Sequence, residues 1–200
     1  MPERKADMHA FQALKQEASK FLPLLGGFVV EDMKIKFRRP IPLLDDFQLY
    51  YFSTLKLLSS VYHPVLEATL AGHGCADNDI KINISFRGSL FNSQACFIPQ
   101  YDSDVDDLTA DLLEFLNQNN ELKEGISGID LEKGAITYFS NMDCWKIQLV
   151  PFPGSFISML IPPAKYLVKL KEEEVETLVT CINIIAETLS KFGRENKGCG

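Results

Sequence analysis

Hydrophobic residues recur at helical spacing at both ends of the chain. Near the amino end they lie three and four positions apart and stop at Gly26-Gly27, which predicts an amphipathic helix with a glycine end. Near the carboxyl end a longer stripe follows a run of glutamates, which favours the start of a second helix packed on a sheet. The two stripes comprise Phe11, Leu14, Ala18, Phe21, Leu22 and Leu25, and Val175, Leu178, Val179, Ile182, Ile185, Ala186, Leu189 and Phe192.

Between these helices the apolar positions mostly follow the period of two that is typical of strands. Residues 33–38 alternate apolar and basic side chains, which predicts a strand with one wet face. Residues 45–60 fit both a helix and a strand, and their aromatic and β-branched content favours a strand. Residues 66–70 and 80–86 flank the polar loop 72–79, which predicts a hairpin with a long turn. Further strands are predicted at 95–98, 135–139 and 144–150.

A central helix is predicted to begin near Asp104. Its apolar stripe consists of Val105, Leu108, Leu112, Phe115 and Leu116. The stripe ends in the asparagine-rich residues 117–120, and the loop that follows contains Gly125 and Gly128. This loop is the predicted hinge, near residues 120–130, if the molecule has two lobes.

From Ile147 to Ala164 the chain carries no charge for eighteen residues, which poses a choice between a membrane segment and a soluble core. Four prolines interrupt this run, and a helix in hydrocarbon would leave backbone groups unpaired around them. A simple transmembrane helix is therefore excluded. The pattern predicts a strand to Val150, a turn at 151–154 and a buried central strand at 155–161, with a membrane-dipping hairpin as the alternative.

Together these elements predict one α+β domain over residues 1–200. It has a mostly antiparallel sheet with N-terminal, central and C-terminal amphipathic helices, the terminal helices against one face. A chain of 200 residues with 46% hydrophobic content is long enough to bury one full core.

Charge and cysteine content narrow the classes of partner. The net charge of −7 argues against a nucleic-acid binder, because neutralising phosphates needs a basic face. Five cysteines without a CxxC pair, and no visible secretory signal, favour a cytoplasmic protein. We expect it to be soluble, without integral membrane association, and a monomer or homodimer.

The loop 72–79 holds the candidate ligand-binding residues His73, Cys75, Asp77 and Asp79. An imidazole, a thiol and carboxylates can bind a metal or form a thiolate–imidazole pair, but their spacing matches no structural zinc pattern. Glycine, asparagine and aspartate are equally typical of long turns. The aspartates at 102–106 resemble a calcium loop, but Asp107 and Leu113 occupy its glycine and glutamate positions. No metal and no cofactor is predicted.

Acidic residues are concentrated in one block, residues 101–132, which holds ten carboxylates and one lysine. If the central helix packs its apolar stripe inward, it presents acidic side chains outward as a candidate site for a protein partner with a basic surface. These side chains are Asp104, Asp107, Asp111 and Glu114. A solvated face that serves solubility alone explains the same residues.

Local motifs for nucleophilic catalysis, phosphate binding and zinc hydrolysis are missing from the sequence. The hypothesis that this absence favours is a non-enzymatic binding or protein-interaction module. The alternative is a small-ligand protein or an enzyme whose site is assembled from distant residues, including the 72–79 loop. Element order and acidic balance are similar to those of small secretion chaperones, a likeness at the level of the fold that no motif carries.

Overall fold

The computed structural model describes residues 2–38, 41–72, 76–89, 92–101 and 105–196. Its helices are α1 (Pro2–Ala18), α2 (Leu22–Leu25), α3 (Asp107–Gln118), α4 (Asn120–Ser127) and α5 (Glu172–Asn196). The strands are β1 (Phe28–Glu31), β2 (Lys34–Phe37), β3 (Asp46–Lys56), β4 (Ser59–Ala71), β5 (Ile80–Ser89), β6 (Asn92–Pro99), β7 (Leu131–Phe139), β8 (Cys144–Pro151), β9 (Phe156–Met159) and β10 (Ala164–Leu167). The predicted α+β class is confirmed.

All ten of these strands belong to one antiparallel sheet. Its main path runs β1-β2-β3-β4-β8-β7-β5-β6. The long strand β4 pairs with β3 from Ser59 to Thr69, with β8 along its second half and with β9 along its first half. Among the described strands, β10 pairs with β9 alone. Strand β4 is therefore the central strand, and two separate partners share one of its edges.

Side chains of alternate parity divide the sheet into two faces. One face packs against the helices, and its fully buried members include Leu49, Leu66 and Ile147. Residues of opposite parity on the same strands, such as Glu67 and Gln148, belong to the other face. This alternation decides which polar groups meet on the sheet.

The amino-terminal elements follow the predicted pattern closely. Helix α1 continues through a 3₁₀ turn at Ser19–Phe21 into α2, and Gly26 ends it at a φ of 69°. Such a positive φ is what a glycine end provides. The predicted strand at 33–38 is confirmed as β2, but Met33 belongs to the turn before it, where Asp32 and Met33 have φ values of 46° and 65°. Most of residues 45–60 form a strand as favoured, namely β3, but the stretch also includes the turn at 57–58 and the first two residues of β4.

Two predicted hairpins are wrong because their strands find partners elsewhere. Residues 66–70 lie in β4 and residues 80–86 lie in β5, yet β5 pairs with β6 and β7 and not with β4. Strands β8 and β9 also do not pair with each other. Both lie beside β4, where Leu149 pairs with Leu66 and Phe156 pairs with Tyr62.

The second half of the uncharged run differs from its prediction as well. Strand β9 ends at Met159, and Leu160 and Ile161 are 64% and 68% exposed. The expected buried central strand at 155–161 is therefore wrong beyond Met159, because the chain turns there into β10 at the surface. Among the described residues, no helix is both long enough and apolar enough to cross a bilayer.

The segment predicted as a glycine loop is helix α4. Asn119 ends α3 and caps α4, its side chain accepting a hydrogen bond from the Leu122 backbone at 3.0 Å. Gly125 lies inside α4 against α5, where an added Cβ would come within 2.9 Å of Cys181 Sγ. This glycine therefore permits close helix packing, and Cys181 of α5 is buried.

Candidate functional site

The predicted ligand-binding loop is described only in part, since His73 and Cys75 lie outside the described residues. Asp77 and Asp79 are exposed at its end. Asp79 Oδ1 accepts hydrogen bonds from the backbone nitrogen and the hydroxyl of Ser140, at 2.9 and 3.0 Å. These bonds hold the pKa of Asp79 below its ordinary value. Asp79 thus ties this loop to the turn between β7 and β8.

Metal ligation has no support in the part of the chain that the structure describes. No group of three or more histidine, cysteine, aspartate or glutamate side chains is clustered there as an ion would require. Whether the loop with His73 and Cys75 binds a ligand stays a prediction.

The acidic helix begins later than predicted. Asp106 caps α3 by accepting a hydrogen bond from the Thr109 backbone at 2.8 Å. Hydrogen bonding from the side chain and the backbone of Thr109 lowers the pKa of Asp106. Asp107, Asp111 and Glu114 are exposed as expected, whereas Asp104 lies outside the described residues. Two residues of the predicted inward stripe, Val105 and Phe115, are 41% and 44% exposed.

A buried carboxylate lies on the sheet face away from the helical core. Glu67 of β4 is only 7% exposed because side chains of the two neighbouring strands surround it. Its Oε2 atom accepts hydrogen bonds from Tyr50 Oη at 2.9 Å and from Gln148 Nε2 at 2.7 Å. Its Oε1 atom accepts one from Gln48 Nε2, and Lys146 Nζ lies 3.9 Å from Oε2. We call Glu67, Tyr50, Gln48, Gln148 and Lys146 the Glu67 network.

Hydrogen bonds within the Glu67 network already occupy the carboxylate oxygens that a catalytic glutamate would need for its substrate. Burial, together with the neighbouring charge of Glu67, raises the pKa of Tyr50 to about 12, so the phenol remains a donor at neutral pH. Both Glu67 oxygens accept at least one hydrogen bond from within the sheet. The arrangement stabilises a charge between strands, and the fold itself accounts for it.

The second polar cluster lies further along β4. His63 is 5% exposed and stacks on Phe52 with ring centroids 5.2 Å apart. Its Nδ1 atom lies 2.8 Å from Glu132 Oε2, and its Nε2 atom lies 3.1 Å from Thr54 Oγ1. Burial lowers the pKa of His63 and outweighs the opposing effect of Glu132. These contacts hold the buried His63 ring in place within the sheet.

Large aliphatic side chains are exposed together at the ends of two neighbouring hairpins. Leu57 and Leu58, at the β3–β4 turn, are 95% and 47% exposed, and Leu55, near the end of β3, is 81% exposed. Leu160 and Ile161 lie at the turn between β9 and β10. We call these five residues, Leu55, Leu57, Leu58, Leu160 and Ile161, the apolar tip.

The two turns form one surface because their strands are hydrogen-bonded. Ser59 of β4 pairs with Met159 of β9, and the backbone nitrogen of Leu160 donates to the Leu58 carbonyl at 2.9 Å. Tyr166, on β10 beside the tip, is 56% exposed. Aliphatic residues in tight turns are unusual, because turns favour glycine, proline, asparagine, aspartate and serine. That departure at residues 55–58 was the sequence signal for this surface.

The charge around the apolar tip differs from that of the whole chain. No aspartate or glutamate occurs in residues 47–66 or 144–171, although the chain has a net charge of −7. Lys56 is the last residue of β3, just before the first turn, and Lys165 lies on β10 just after the second. The apolar tip is therefore flanked by lysines in the two segments of the chain that build it.

One comparison with known proteins finds a match. The model of a family described as "Protein of unknown function (DUF3156)" matches residues 20–189, which covers β1 to β10 and most of α5. No curated protein matches the chain, and no solved structure matches it.

Proposed function

The chain belongs to the DUF3156 family, and we propose that it is a non-enzymatic binding module that docks on an anionic membrane surface through the apolar tip. The observation that carries this proposal is the joint exposure of five large aliphatic side chains on two hydrogen-bonded turns. Single exposed leucines are ordinary on protein surfaces, whereas a contiguous group at a protruding end indicates an interaction site.

Hydrophobic transfer supplies the first part of the binding free energy. Burying one leucine or isoleucine side chain fully contributes about 1.5–3 kcal/mol. Leu57, at 95% exposure, and Leu55, at 81%, keep nearly all of that potential in the free protein. Irregular backbone is not tolerated in contact with lipid hydrocarbon, so the two turns would enter only the boundary between headgroups and acyl chains.

Electrostatic attraction supplies the second part. A lysine near an anionic bilayer contributes about 1 kcal/mol, and a long lysine side chain can reach the headgroups while its neighbours are buried. Lys56 and Lys165 occupy such positions beside the apolar tip. Tyr166 is a residue type that favours the membrane interface. The cytoplasmic leaflet is the anionic one, which agrees with the predicted cytoplasmic location.

A binding role also agrees with the polar clusters on the sheet. Glu67 and His63 both contact neighbouring side chains, and neither lines a described pocket. These contacts support a structural role for both residues. The proposal therefore places function at the apolar tip and stability in the sheet.

Flotation with lipid vesicles tests this proposal. The full chain is mixed with vesicles of phosphatidylcholine and phosphatidylserine, and separately with vesicles of phosphatidylcholine alone. We expect flotation with the anionic vesicles and a loss of it as salt is raised, because the lysine contribution is screened. Equal flotation with both vesicle types would reject the electrostatic part, and no flotation with either would reject the proposal.

Matched variants distinguish binding through the apolar tip from nonspecific hydrophobic binding. The double variant Leu57→Ser, Ile161→Ser should bind anionic vesicles at least about tenfold more weakly, because two large aliphatic contacts are lost. Met142→Ser is the control, since Met142 is 60% exposed at the β7–β8 turn outside the apolar tip. If Met142→Ser weakens vesicle binding equally, any exposed apolar side chain contributes to binding and the apolar tip is not a specific site. Light scattering tests whether copies of the chain form a complex. If a complex forms and is lost in the double variant, the partner of the apolar tip is a second copy of the chain and not a membrane.

A second candidate function uses the exposed acidic face of α3. Asp107, Asp111 and Glu114 point to solvent, in the most acidic segment of the chain. Their summed field would steer a protein partner with a basic surface to this helix. Changing all three to lysine should abolish capture of such a partner while leaving the melting temperature nearly unchanged. Capture that survives this change and high salt would move the interface away from α3.

A further inference from the structure

A small cavity lies between α1 and the sheet. Its volume is about 210 Å³, and α1, the β1–β2 turn, β3 and β4 all contribute to its lining. Drug-sized ligands occupy pockets of about 300–1,000 Å³, so this cavity suits a small group and not a whole cofactor. Neither the proposed membrane surface nor the acidic face of α3 uses it.

Three aromatic rings and one carboxylate line this cavity. They belong to Phe11, Tyr51, Tyr62 and Asp7. The rings of Tyr51 and Tyr62 lie 6.2 Å apart and are tilted by 58° to each other, so they form two differently oriented walls. Tyr62 Oη donates to Asp7 Oδ1 at 2.9 Å, and Tyr51 Oη donates to the Gly154 carbonyl at 2.6 Å. These bonds fix the position of both rings.

The charge of the lining is negative. Among the side chains that the structure describes, none forms an ion pair with Asp7. Aromatic faces attract cations through the ring quadrupole, most strongly where water is displaced. The ammonium of Lys15, which does not line the cavity, lies 4.8 Å from the centre of the Phe11 ring, so this ring already takes part in one cation–π contact.

From this combination we infer that the cavity is a binding site for a substituted ammonium group. The rings of Phe11, Tyr51 and Tyr62 contact its alkyl substituents, and Asp7 balances its charge. Alkyl substitution matters because a methylated ammonium is more weakly hydrated and covers the ring surfaces better than a bare one. The inference is independent of the apolar tip, since neither site shares a residue with the other.

A matched pair of ligands tests the charge requirement. Choline carries a trimethylammonium group, and 3,3-dimethyl-1-butanol has the same shape without the charge. We expect choline to perturb the tyrosine signals of the full chain in NMR titration, while the neutral alcohol binds at least about fivefold more weakly. Equal binding of the two would show a plain apolar cavity, and absence of both from the cavity would overturn the inference.

Variants of the lining test the site in both directions. Asp7→Asn keeps an acceptor for Tyr62 and removes the charge, so choline should bind at least about fivefold more weakly. Lys15→Gln removes the resident cation beside Phe11 and should strengthen choline binding about twofold or more. Glu124→Gln, at an exposed carboxylate on α4, is the control and should change nothing. If the control weakens choline as much as Asp7→Asn, the effect is general charge and the site is rejected.

The source of the ammonium group is distinguished by a third ligand. Glycerophosphocholine carries the same group on a lipid headgroup without acyl chains. Binding tighter than that of choline assigns a headgroup, and weaker binding assigns a free small cation. Either result agrees with a binding site for a substituted ammonium group. The inference is overturned if Asp7→Asn binds both ligands as tightly as the unaltered chain does.

Discussion

The Glu67 network and the apolar tip break the usual distribution of residues in opposite ways. Glu67 is a charged side chain at 7% exposure, and Leu57 is an aliphatic one at 95% exposure. The fold explains the first, because neighbouring strands supply donors to both carboxylate oxygens. Nothing in the described fold covers the second. A buried charge with partners is a matter of stability, whereas an uncovered apolar group directs attention to a partner outside the chain.

The comparison predicts the largest loss of stability at Glu67. Glu67→Ala leaves Tyr50, Gln48 and Gln148 without their shared acceptor, and we expect the free energy of unfolding to fall by about 3 kcal/mol. Urea unfolding measures it. Asp111→Asn, at an exposed carboxylate, is the matched control and should change the value by less than about 0.5 kcal/mol. Equal losses would mean that Glu67 is not a structural charge.

A double-mutant cycle measures how closely the network is coupled. Tyr50→Phe and Glu67→Gln each disturb the bond from Tyr50 Oη to Glu67 Oε2, which is 2.9 Å long. We expect a coupling free energy of about 1–2 kcal/mol between them, because the two groups contact directly. Additive effects would show that the donors act on Glu67 separately. Urea unfolding of the four proteins gives the result.

Alkaline pH should weaken the network through Tyr50. The pKa of Tyr50 rises from 10.0 to about 12 on folding, so the folded chain holds this proton more tightly than the unfolded chain does. The stability from this group is complete below pH 10.0 and is lost as the pH rises to about 12. Tyr50→Phe should lose part of the alkaline slope measured by urea unfolding. Tyr51, whose pKa burial also raises, keeps its own share in both proteins. An unchanged slope would contradict the prediction.

The smallest effect on stability is expected at the apolar tip. Leu57→Ser removes a side chain that is almost fully hydrated in the folded chain, so the free energy of unfolding should change by less than about 0.5 kcal/mol. Thermal and urea unfolding of this variant measure the change. A loss near that of Glu67→Ala would show that Leu57 packs within the fold, and would remove the basis for treating the apolar tip as a docking surface.

Local patterns were sufficient for the elements whose signals lie within a few residues. Helix α5 was predicted from its stripe, and its members Leu178, Ile182 and Ile185 are fully buried. The glycine end at Gly26 and the strand β2 were predicted for the same reason. Helix α4 was missed because its cap, Asn119, lies in a run of polar residues that resembles a loop.

Strand pairing could not be predicted from the sequence, because the strands that pair lie far apart along the chain. Leu66 pairs with Leu149 and Tyr62 pairs with Phe156, and no local signal distinguishes these pairs from a neighbouring hairpin. The uncharged run was read as a buried strand because buried and exposed apolar residues look alike in sequence. Its first half is core and its end belongs to the apolar tip.

The candidate sites also divide into those predicted from local spacing and those that form only in the folded chain. The outward direction of Asp107, Asp111 and Glu114 followed from helical spacing and is confirmed. The Glu67 network and the aromatic cavity join residues from separate strands and from α1, so only the folded chain brings them together. What the loop with His73 and Cys75 does stays a prediction, because those residues lie outside the described chain.

Close packing of α4 on α5 also makes the reactivity of Cys181 a measure of how often these two helices separate. Burial raises the pKa of Cys181 to about 11, so almost no thiolate is present at neutral pH, and the thiol is shielded by the neighbouring helix. A thiol reagent can therefore modify Cys181 only while α4 is lifted from α5. The labelling rate of this one cysteine, followed by mass spectrometry of the native chain, measures how often that helix pair opens.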